Sequence, residues 1–385
     1  MVLFVNCAVG IAQWLRKESK LAGFEPIWAL GLMSGTSMDG VDGAMLLTDG
    51  EDILEFGESF FRPYSGEETA AISAAQGLWP KDDAARLGAA RQVVESAHRE
   101  VISRFDTVDV VGFHGQTLAH DPANGRTHQL GDGAALAAVS GKKVVWDFRT
   151  RDVSAGGQGA PLAPFFHFAC VRSIGAREAI ACLNLGGVGN VTLVDGAKSS
   201  PEAEEALLAF DTGPANAPLN DLMAARLGLA YDRHGALAAR GQVDGDIVQA
   251  VLARSYFDKC PPKSLDRNDF ADVVGMVNRL SDADAAATLT ALAAACVAAA
   301  ERWFPKAPAR WLVSGGGARN PAMMRELAAR LSAPVAPIED VGLDGDMLEA
   351  QAFAYLAVRV LRGLPTSAPG TTGVGAPVCG GQVSG

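Results

Sequence analysis

An aspartate in the middle of the chain is the first candidate for a catalytic base. The stretch "AFDTGPAN", Ala209 to Asn216, places Asp211 at the end of an apolar run, before a Gly-Pro turn that leads into a helix. Most aspartates in that position cap the helix that follows. A carboxylate at a strand end can instead act as a general base that takes a proton from a nucleophile facing a γ-phosphate. The stretch by itself leaves both roles open.

Three glycine-rich turns expose backbone that an anion can approach. They read "GLMSGTSMDG" at 31–40, "NLGGVGN" at 184–190 and "SGGGARNP" at 314–321. Bare N–H groups hold phosphate oxygens, and the helix that begins after the third turn favours an anion at its N-terminus. A tight hairpin with positive φ at its glycines is the better explanation of a lone turn. Two such hairpins predict a cradle for nucleotide phosphates, although no turn has the Walker or the dinucleotide-binding pattern.

Polar side chains follow two predicted strands in the first half of the chain. His114 and Gln116 come from "GFHGQTLAHDP", and Asp147, Arg149 and Asp152 come from "WDFRTRD". Open α/β sheets place ligand groups at such strand ends, and a guanidinium can pair a substrate carboxylate through two hydrogen bonds. A structural network of ion pairs between lobes explains these residues equally well. The spacing of the histidines fits no usual zinc site.

A further carboxylate, Glu349, lies in the otherwise apolar helical stretch "DMLEAQAFA". It is either a residue of a solvated face or a group directed at a metal ion or a substrate. The sequence pattern favours neither.

The elements that position these residues occur in a repeated order. A meander of three strands is followed by helices and two further strands, at 28–33, 41–47, 53–61, 66–105, 108–113, 133–140 and 143–148. The order then restarts with a hairpin, a strand and a largely helical half, at 179–185, 191–195, 207–210, 284–303, 311–314 and 320–331. This repeat predicts a duplicated α/β architecture, with glycine turns facing each other across a cleft.

Composition excludes several classes of protein. The chain has 385 residues, 49% hydrophobic and 20% charged, and a formal net charge of −11, which disfavours nucleic acid as a partner. Its six cysteines lack the close pairing of a zinc or redox site and are typical of buried thiols in a reducing compartment. The longest apolar stretch, 285–300, is alanine-rich and carries Thr288 and Thr290, so it is expected to fall short of a membrane span. We interpret the apolar start, up to residue 27, as an extension of unassigned role.

Eight motifs in register resemble the anhydro-N-acetylmuramic acid kinase family over 28 to about 378. Besides the stretches above they include "DFRTRDVSAGGQGAPLAP", "PPKSLDRNDF" and "EAQAFAYLA". The resemblance implies the two-lobed fold of sugar kinases, actin and the large heat-shock chaperones, with duplicated ribonuclease-H-like domains and ATP in the cleft between the lobes. It also implies a reaction: water opens the 1,6-anhydro bridge at C1, and O6 is phosphorylated to give N-acetylmuramic acid 6-phosphate for cell-wall recycling.

The resemblance also implies roles for individual residues. Asp211 matches the catalytic base, and Glu349 matches the acidic residue near Mg²⁺, which it holds directly or through water. The residues expected at ATP are Gly35, Thr36, Ser37, Met38, Asp39, Gly40, Val41, Asp42, Gly186, Gly187, Asn190, Gly315, Gly316, Gly317 and Asn320. Those expected around the sugar are His114, Gln116, Asp147, Arg149, Asp152, Gln158 and Gly159. Leu265 and Asp266 stand where the family is expected to have Thr-Gly.

These expectations divide the chain into four parts and place it in a cell. The parts are an extension at 1–27, a first lobe at 28–165, a second lobe at 166–365 and a C-terminal segment at 366–385. The expected setting is the cytoplasm, with ATP, Mg²⁺ and an amino sugar as ligands, no membrane, and a homodimer as one possible assembly. Alternatives from other classes are an actin-like or chaperone-like nucleotide switch without a sugar, a kinase of an ordinary hexose, and a phosphatase-like member of the same fold.

Overall fold

The computed structural model describes residues 24–385, which form two units. Unit 1 contains the chain up to Ser173 together with Met347–Gly385, and unit 2 is Ile174–Asp346. The interpretation of 1–27 as an extension falls almost wholly outside the described residues. The first strand begins at Ile27.

Unit 1 is built on a seven-stranded sheet in the order β12-β6-β4-β1-β2-β3, with β5 paired to β4. Its strands are β1 (Ile27–Ser34), β2 (Gly40–Thr48), β3 (Ile53–Pro63), β4 (Val110–Asp121), β5 (Arg126–Leu130), β6 (Val144–Trp146) and β12 (Gln382–Ser384). Its helices are α1 (Gly66–Ser73), α2 (Ala84–Ile102), α3 (Gly133–Ser140), α4 (Thr150–Ser154), α5 (Pro164–Ser173), α11 (Leu348–Leu361) and α12 (Pro369–Thr372).

Unit 2 is built on a five-stranded sheet in the order β11-β10-β7-β8-β9. Its strands are β7 (Ala179–Leu185), β8 (Val188–Asp195), β9 (Leu207–Pro214), β10 (Arg310–Ser314) and β11 (Val335–Pro337). Its helices are α6 (Asn216–Leu227), α7 (Gly245–Leu252), α8 (Val273–Met276), α9 (Asp282–Ala300) and α10 (Pro321–Arg330).

The two sheets share one topology. In each, the first three strands form an antiparallel meander, and the first strand also pairs in parallel with the fourth. The fourth strand pairs in parallel with the next strand of the central sheet, β6 in unit 1 and β11 in unit 2. The predicted duplication and the ribonuclease-H-like α/β class are therefore confirmed at the level of strand order.

Helix α11 lies directly on the sheet of unit 1. A Cβ at Gly31 of β1 would lie 1.7 Å from the backbone oxygen of Ala350, and one at Gly112 of β4 would lie 2.1 Å from that of Phe353. The bare glycines allow this close approach of helix to strands. The structure thus assigns 347–385 to the first unit, and α5 with it, whereas the sequence analysis divided the chain at 165 and 365. Chain order could not show that a late helix returns to the first sheet.

Helix α9 and the short helical turn after it, Asp282–Trp303, are long and apolar enough to cross a membrane, which corrects the expectation that this stretch falls short of a membrane span. Most of the helix is buried inside the structure, as in the core helix of a globular domain. It packs against α10 and α7 within unit 2. Its alanines allow that packing, and its burial explains its apolar composition.

Two strands are longer than the sequence pattern predicted. The predicted strand at 108–113 continues through "HGQTLAHD" as β4 and pairs with β5, a hairpin that was not predicted. The predicted strand at 207–210 continues to Pro214, so Asp211 lies within β9 rather than at its end. The polar residues of β9 after Phe210, Asp211 and Thr212, interrupt the apolar run, so the sequence pattern did not predict that the strand continues.

Candidate active site

Asp211 is held by its neighbours in unit 2 through backbone and side chain. Its backbone N–H donates to the Lys263 carbonyl at 3.0 Å, and its carbonyl accepts from the Tyr256 hydroxyl at 2.5 Å. The backbone N–H of Leu265 donates to its Oδ2 at 2.8 Å. Burial raises the pKa of Asp211 to about 6, and the Leu265 hydrogen bond opposes that shift. A carboxyl group with this pKa can gain and lose a proton near neutral pH.

A bulge accompanies Asp211 in the sheet. Asp211 pairs with Asn190 of β8, whereas Gly213 pairs with Gly189, so the register shifts at Thr212. Bulges commonly redirect side chains next to active sites. Leu265 holds Asp211 through its backbone N–H and not through its side chain. The contact is therefore independent of having Leu265 where the family is expected to have threonine. Asp266 caps the short helix that follows, accepting from the Asn268 N–H at 2.8 Å.

Lys263 anchors the same loop. Its ammonium group lies 4.6 Å from the centre of the Tyr256 ring and 5.5 Å from that of Trp303, and it donates to the Tyr256 carbonyl at 3.2 Å. Burial, first of all, lowers the pKa of Lys263 to about 8. Cation–π contacts of this kind stabilise a partly buried lysine. The loop that reaches Asp211 is therefore fixed by a side chain that the sequence analysis did not select.

The side-chain amide of Gln116 stabilises the turn between β1 and β2 through two hydrogen bonds. The Ser34 hydroxyl donates to Gln116 Oε1 at 2.5 Å, and Gln116 Nε2 donates to the Gly35 carbonyl at 3.1 Å. Gln116 is fully buried, so both ends of its amide serve the turn. Thr36 and Ser37 are exposed, and no hydrogen bond occupies their backbone N–H groups within the described chain. Those groups are free to meet an anion.

The remaining residues of this turn, from Met38 to Asp42, make contacts within the protein itself. The Met38 N–H donates to the Gly35 carbonyl at 3.2 Å, and Asp39 Oδ1 accepts from the Ser37 hydroxyl at 2.7 Å. The side chain of Val41 is buried in the core, and Asp42 pairs with Met33 in the β1–β2 ladder.

The glycines of the turns separate into two groups by what a side chain would meet. At Gly40 and Gly317 a Cβ would lie 2.4 Å and 2.5 Å from other atoms, so packing within the fold requires glycine there. Gly189 and Gly315 are similarly constrained. Four others would meet nothing closer than 3.5 Å and have no positive φ; they are Gly35, Gly186, Gly187 and Gly316. The fold does not require these four to be glycine, which is what a turn adapted to a close ligand would show.

A cavity of about 450 Å³ opens beside the third turn of unit 2. This volume is typical of small-molecule sites. Asn320 caps α10 through its Oδ1, which accepts from Ala322 and Met323 N–H groups, and it lines the cavity as well. The lining is Asn216, Leu219, Asn220, Tyr231, Asp232, Arg233, His234, Gly316, Arg319 and Asn320. Of these, only Gly316 and Asn320 were predicted as site residues.

His114 and Arg149 form a buried pair in unit 1. His114 Nδ1 lies 2.7 Å from the Gly115 carbonyl and donates to it, so Nε2 is the acceptor for the Arg149 Nε–H at 3.1 Å. Burial lowers the pKa of His114 well below its usual range, in agreement with a neutral ring. Arg149 Nη1 donates to the Gly159 carbonyl at 2.7 Å. No partner holds Nη2 among the described residues, so this nitrogen is available to an anion.

Glu349, in the first turn of α11, lies within electrostatic range of Arg149. Burial lowers the pKa of Arg149 to about 10, and the charges of Glu349 and Asp152 oppose that shift. The Glu349 carboxylate has no hydrogen-bond partner in the described chain, and burial raises its pKa while the charge of Arg149 opposes that shift. Carboxylate oxygens are the protein ligands that Mg²⁺ prefers, and it takes only one or two of them when phosphates supply others. Glu349 therefore fits a magnesium ligand.

The other predicted sugar residues are bound to the chain itself. Asp147 has φ +56°, and its carboxylate accepts from the Thr150 hydroxyl at 2.5 Å and from Gln382 Nε2 at 2.7 Å. Asp152 binds Gly159 and residues of the C-terminal segment. The geometry brings His114, Arg149 and Gly159 into one cluster, with Asp152 beneath it.

The structure adds residues that sequence reasoning missed. Tyr231, Arg233 and His234 line the cavity from a loop after α6, and Tyr256 and Lys263 hold the Asp211 loop. The stretch "YDRHG", 231–235, places an aromatic residue among charged groups in a segment without helix or strand periodicity. That combination could have identified it as a candidate binding loop. Nothing in the local sequence pointed to Tyr256.

Two α/β units of one strand order, each with a glycine turn between its first two strands, define the class of ATPases that includes sugar kinases and actin. The family model described as "Anhydro-N-acetylmuramic acid kinase" matches residues 27–384. The chain belongs to the anhydro-N-acetylmuramic acid kinase family.

Two curated relatives of similar length support this assignment by their sequence identity, and one solved structure is given for comparison only. The anhydro-N-acetylmuramic acid kinase of Roseobacter denitrificans is 58% identical over 367 residues, which cover 95% of this chain and 97% of the relative. That of Ruegeria sp. is 60% identical over 359 residues, covering 93% and 95%. Among solved structures, gluconate kinase from Lactobacillus acidophilus aligns with a TM-score of 0.46 at 10% identity, covering 88% of this chain and 90% of its own.

Proposed function

We propose that this chain uses ATP to open the 1,6-anhydro bridge of 1,6-anhydro-N-acetylmuramic acid and to phosphorylate O6, giving N-acetylmuramic acid 6-phosphate. The observation that carries the proposal is the Asp211 carboxylate, held by the Leu265 N–H and with its pKa raised to about 6 by burial. Family membership supplies the substrate, and Asp211 supplies the base that a hydrolytic opening needs.

The nucleotide is proposed to lie on the turns whose glycines the fold does not require. In unit 1, Gly35 would let phosphate oxygens approach the backbone beside the free N–H groups of Thr36 and Ser37. Within unit 2, Gly186 and Gly187 would give a phosphate the same access. The cavity beside Gly316 has the size and polar lining to take the nucleoside part. Gln116 would then act on ATP through the turn rather than on the sugar.

The sugar is proposed to bind at the unoccupied Nη2 of Arg149. N-acetylmuramic acid carries a lactyl carboxylate, which would accept a charge-assisted hydrogen bond from this nitrogen. His114, fixed in its neutral form, would hold the guanidinium in the plane that this hydrogen bond needs.

In the proposed reaction Asp211 takes a proton from a water molecule as the water oxygen bonds to C1. The C1–O6 bond breaks, and O6 bonds to the γ-phosphorus as ADP leaves. Strain in the bicyclic acetal favours the opening, so positioning and electrostatics supply most of the catalysis. Mg²⁺, held by Glu349 directly or through water, would neutralise charge on the transferring phosphate.

We place the reaction in the cytoplasm, where ATP is present, with peptidoglycan recycling as its setting. A homodimer remains our proposal for the assembly. The negative net charge of −11 argues against nucleic acid as a partner.

The test is ADP release with a panel of sugars at fixed ATP and Mg²⁺. We expect release to depend on the anhydro sugar and to be far slower with N-acetylmuramic acid whose bridge is already open, because water then has no C1–O6 bond to break. In ¹⁸O-labelled water, product sampled early should carry label at C1 and none at C6. Equal turnover of both sugars would indicate an ordinary 6-hydroxyl kinase, and release independent of any sugar would indicate a nucleotide switch.

A further inference from the structure

The Asp152 carboxylate is buried and satisfied by three donors of unit 1. Asp152 is 1% exposed. Its Oδ1 accepts from the Gly159 N–H at 2.6 Å, and its Oδ2 accepts from the hydroxyls of Ser367 at 2.5 Å and Thr372 at 2.7 Å. No lysine or arginine forms an ion pair with it in the part of the chain described. A buried carboxylate without an ion pair depends on its hydrogen bonds.

The two hydroxyl donors come from the far end of the sequence. Ser367 lies 215 positions and Thr372 lies 220 positions from Asp152. Both residues are almost fully buried, so these hydroxyls have no access to bulk water. We call Asp152, Ser367 and Thr372 the carboxylate latch.

The latch fixes the backbone of the loop at 157–159. The Gln158 N–H donates to the Thr372 carbonyl at 2.7 Å, and the Gln158 carbonyl accepts from His120 Nε2 at 2.9 Å. Gly159 uses its N–H on Asp152 and its carbonyl on Arg149. A Cβ at Gly157 would lie 2.2 Å from Asp152 Oδ1, so the loop packs directly on the carboxylate. All four polar backbone groups of Gln158 and Gly159 are thus occupied.

Two groups at this loop remain available to a ligand: the side-chain amide of Gln158 and the Nη2 group of Arg149. Gln158 has no hydrogen-bond partner for its side-chain amide within the described residues. Arg149 is held at Nε by His114 and at Nη1 by Gly159, with Nη2 unoccupied. Displacement of Gly159 would remove one of the two contacts that orient the guanidinium.

We propose that the carboxylate latch is a positioning device for the sugar: the C-terminal segment, through Ser367 and Thr372, holds Asp152, and Asp152 holds the Gln158–Gly159 loop and with it Arg149. The three residues touch no substrate. The inference rests on the proposed function and deepens it, because it replaces direct sugar contact by Asp152 with an indirect role and gives 366–385 a function.

The test compares Thr372→Val, which replaces the hydroxyl with a methyl group, with Thr372→Ser, which restores it. Thr48→Val is the matched control, since Thr48 is equally buried in unit 1 but its hydroxyl donates to the backbone carbonyl of Asp52, at 2.7 Å, and not to Asp152. We expect Thr372→Val to raise KM for the anhydro sugar about tenfold or more, with KM for ATP unchanged. Thr372→Ser should recover the wild-type value, and Thr48→Val should leave both KM values unchanged.

Ser367→Ala gives a second measurement should Thr372→Val not fold, because it removes a hydroxyl and adds no group. A sugar KM in folded latch variants equal to that of Thr48→Val overturns the inference, as does an equal rise in both KM values. These outcomes require an active wild-type enzyme. If the wild type itself shows no turnover dependent on the anhydro sugar, the proposed function has failed instead.

Discussion

At the scale of the residue, Asp211 shows how one carboxylate is prepared for proton transfer. Its backbone is held on both sides, by β8 and by the Lys263 loop, and a single N–H from Leu265 contacts its Oδ2. Burial makes the charged form of the carboxylate less stable, while the hydrogen bond from Leu265 keeps the carboxylate in one orientation. The residue combines a fixed position with a proton affinity higher than that of an ordinary aspartate.

Replacing Asp211 with asparagine should remove catalysis and leave the nucleotide site intact. Asparagine has nearly the same shape and can still accept from the Leu265 N–H, but it cannot take a proton. We expect kcat to fall roughly 10²- to 10⁴-fold, measured by ADP release. Calorimetry should give the wild-type affinity for ATP. Turnover near the wild-type value would remove Asp211 from the role of base.

The activity should depend on pH through the same group. A base acts only when deprotonated, and the pKa of Asp211 is raised to about 6, so kcat/KM should rise with pH through about 6 and then level off. Circular dichroism over the same range separates this step from unfolding. The residual activity of Asp211→Asn should lack the step. A profile flat down to pH 5 would contradict the assignment.

The sequence allowed candidate site residues to be selected, but it did not allow the hydrogen-bond partner of each one to be predicted. Asp211 and Arg149 stood out because charged groups follow apolar strands. That Gln116 and Asp152 bind the protein itself could not be foreseen, because their partners, Ser34 and Thr372 among them, lie far away in the sequence. Cavity residues such as Tyr231 come from an irregular loop without periodicity.

At the scale of the element, the glycine turns carry two different requirements. Gly40 and Gly317 are close to neighbouring atoms of the fold, whereas Gly35 and Gly316 are not. Composition marks all of them equally as turn residues. Only the distances to neighbours separate glycines that packing needs from those left for a ligand.

Gly35→Ala should therefore weaken ATP binding without harming the fold. The new Cβ would meet no protein atom closer than Ser37 Oγ at 3.5 Å, an ordinary van der Waals contact, but it would stand where phosphate is proposed to approach. We expect the ATP dissociation constant to rise about tenfold, with sugar affinity and melting temperature unchanged. Gly88→Ala in α2, where a Cβ meets nothing within 4 Å, is the matched control. Unchanged affinity for ATP would reduce the turn to a hairpin.

Periodicity predicted the elements better than their partners. The meander of β1 to β3 and helix α3 came from alternating and helical patterns, and α3 has the predicted bounds. The β4–β5 hairpin was missed because polar residues interrupt the alternation, as "HGQT" does in β4. Local sequence signals also could not place α11, since its contacts with Gly31 and Gly112 join distant segments.

At the scale of the whole molecule, unit 2 is continuous in sequence and unit 1 is not. Unit 2 has two apolar clusters of its own, one that includes Leu289 and Phe257 and one that includes Trp311 and Leu183. Unit 1 needs α11 to cover β1 and β4.

The two units should accordingly differ as isolated fragments. We expect 174–346 to fold alone and to unfold cooperatively, as followed by circular dichroism on heating. The fragment 24–173 lacks α11 and leaves Ala29 and Val110, which lie on the same strand faces as Gly31 and Gly112, without that cover, so it should show no cooperative transition. Adding 347–385 as a separate peptide is the control, and cooperative unfolding of 24–173 alone would contradict the expectation.

The divided sequence of unit 1 also bears on how a cell makes the protein. Synthesis proceeds from the N-terminus at about 5–20 residues per second, and domains fold as their last required segment emerges. The last residue of unit 2, Asp346, is made before α11 begins at Leu348. Unit 2 can thus fold while the ribosome is still extending the chain, whereas the first strands to emerge, β1 to β6, must wait for α11. Unit 1 therefore begins first and is completed last, and the sheet face that α11 will cover is the part that a nascent-chain chaperone would have to shield.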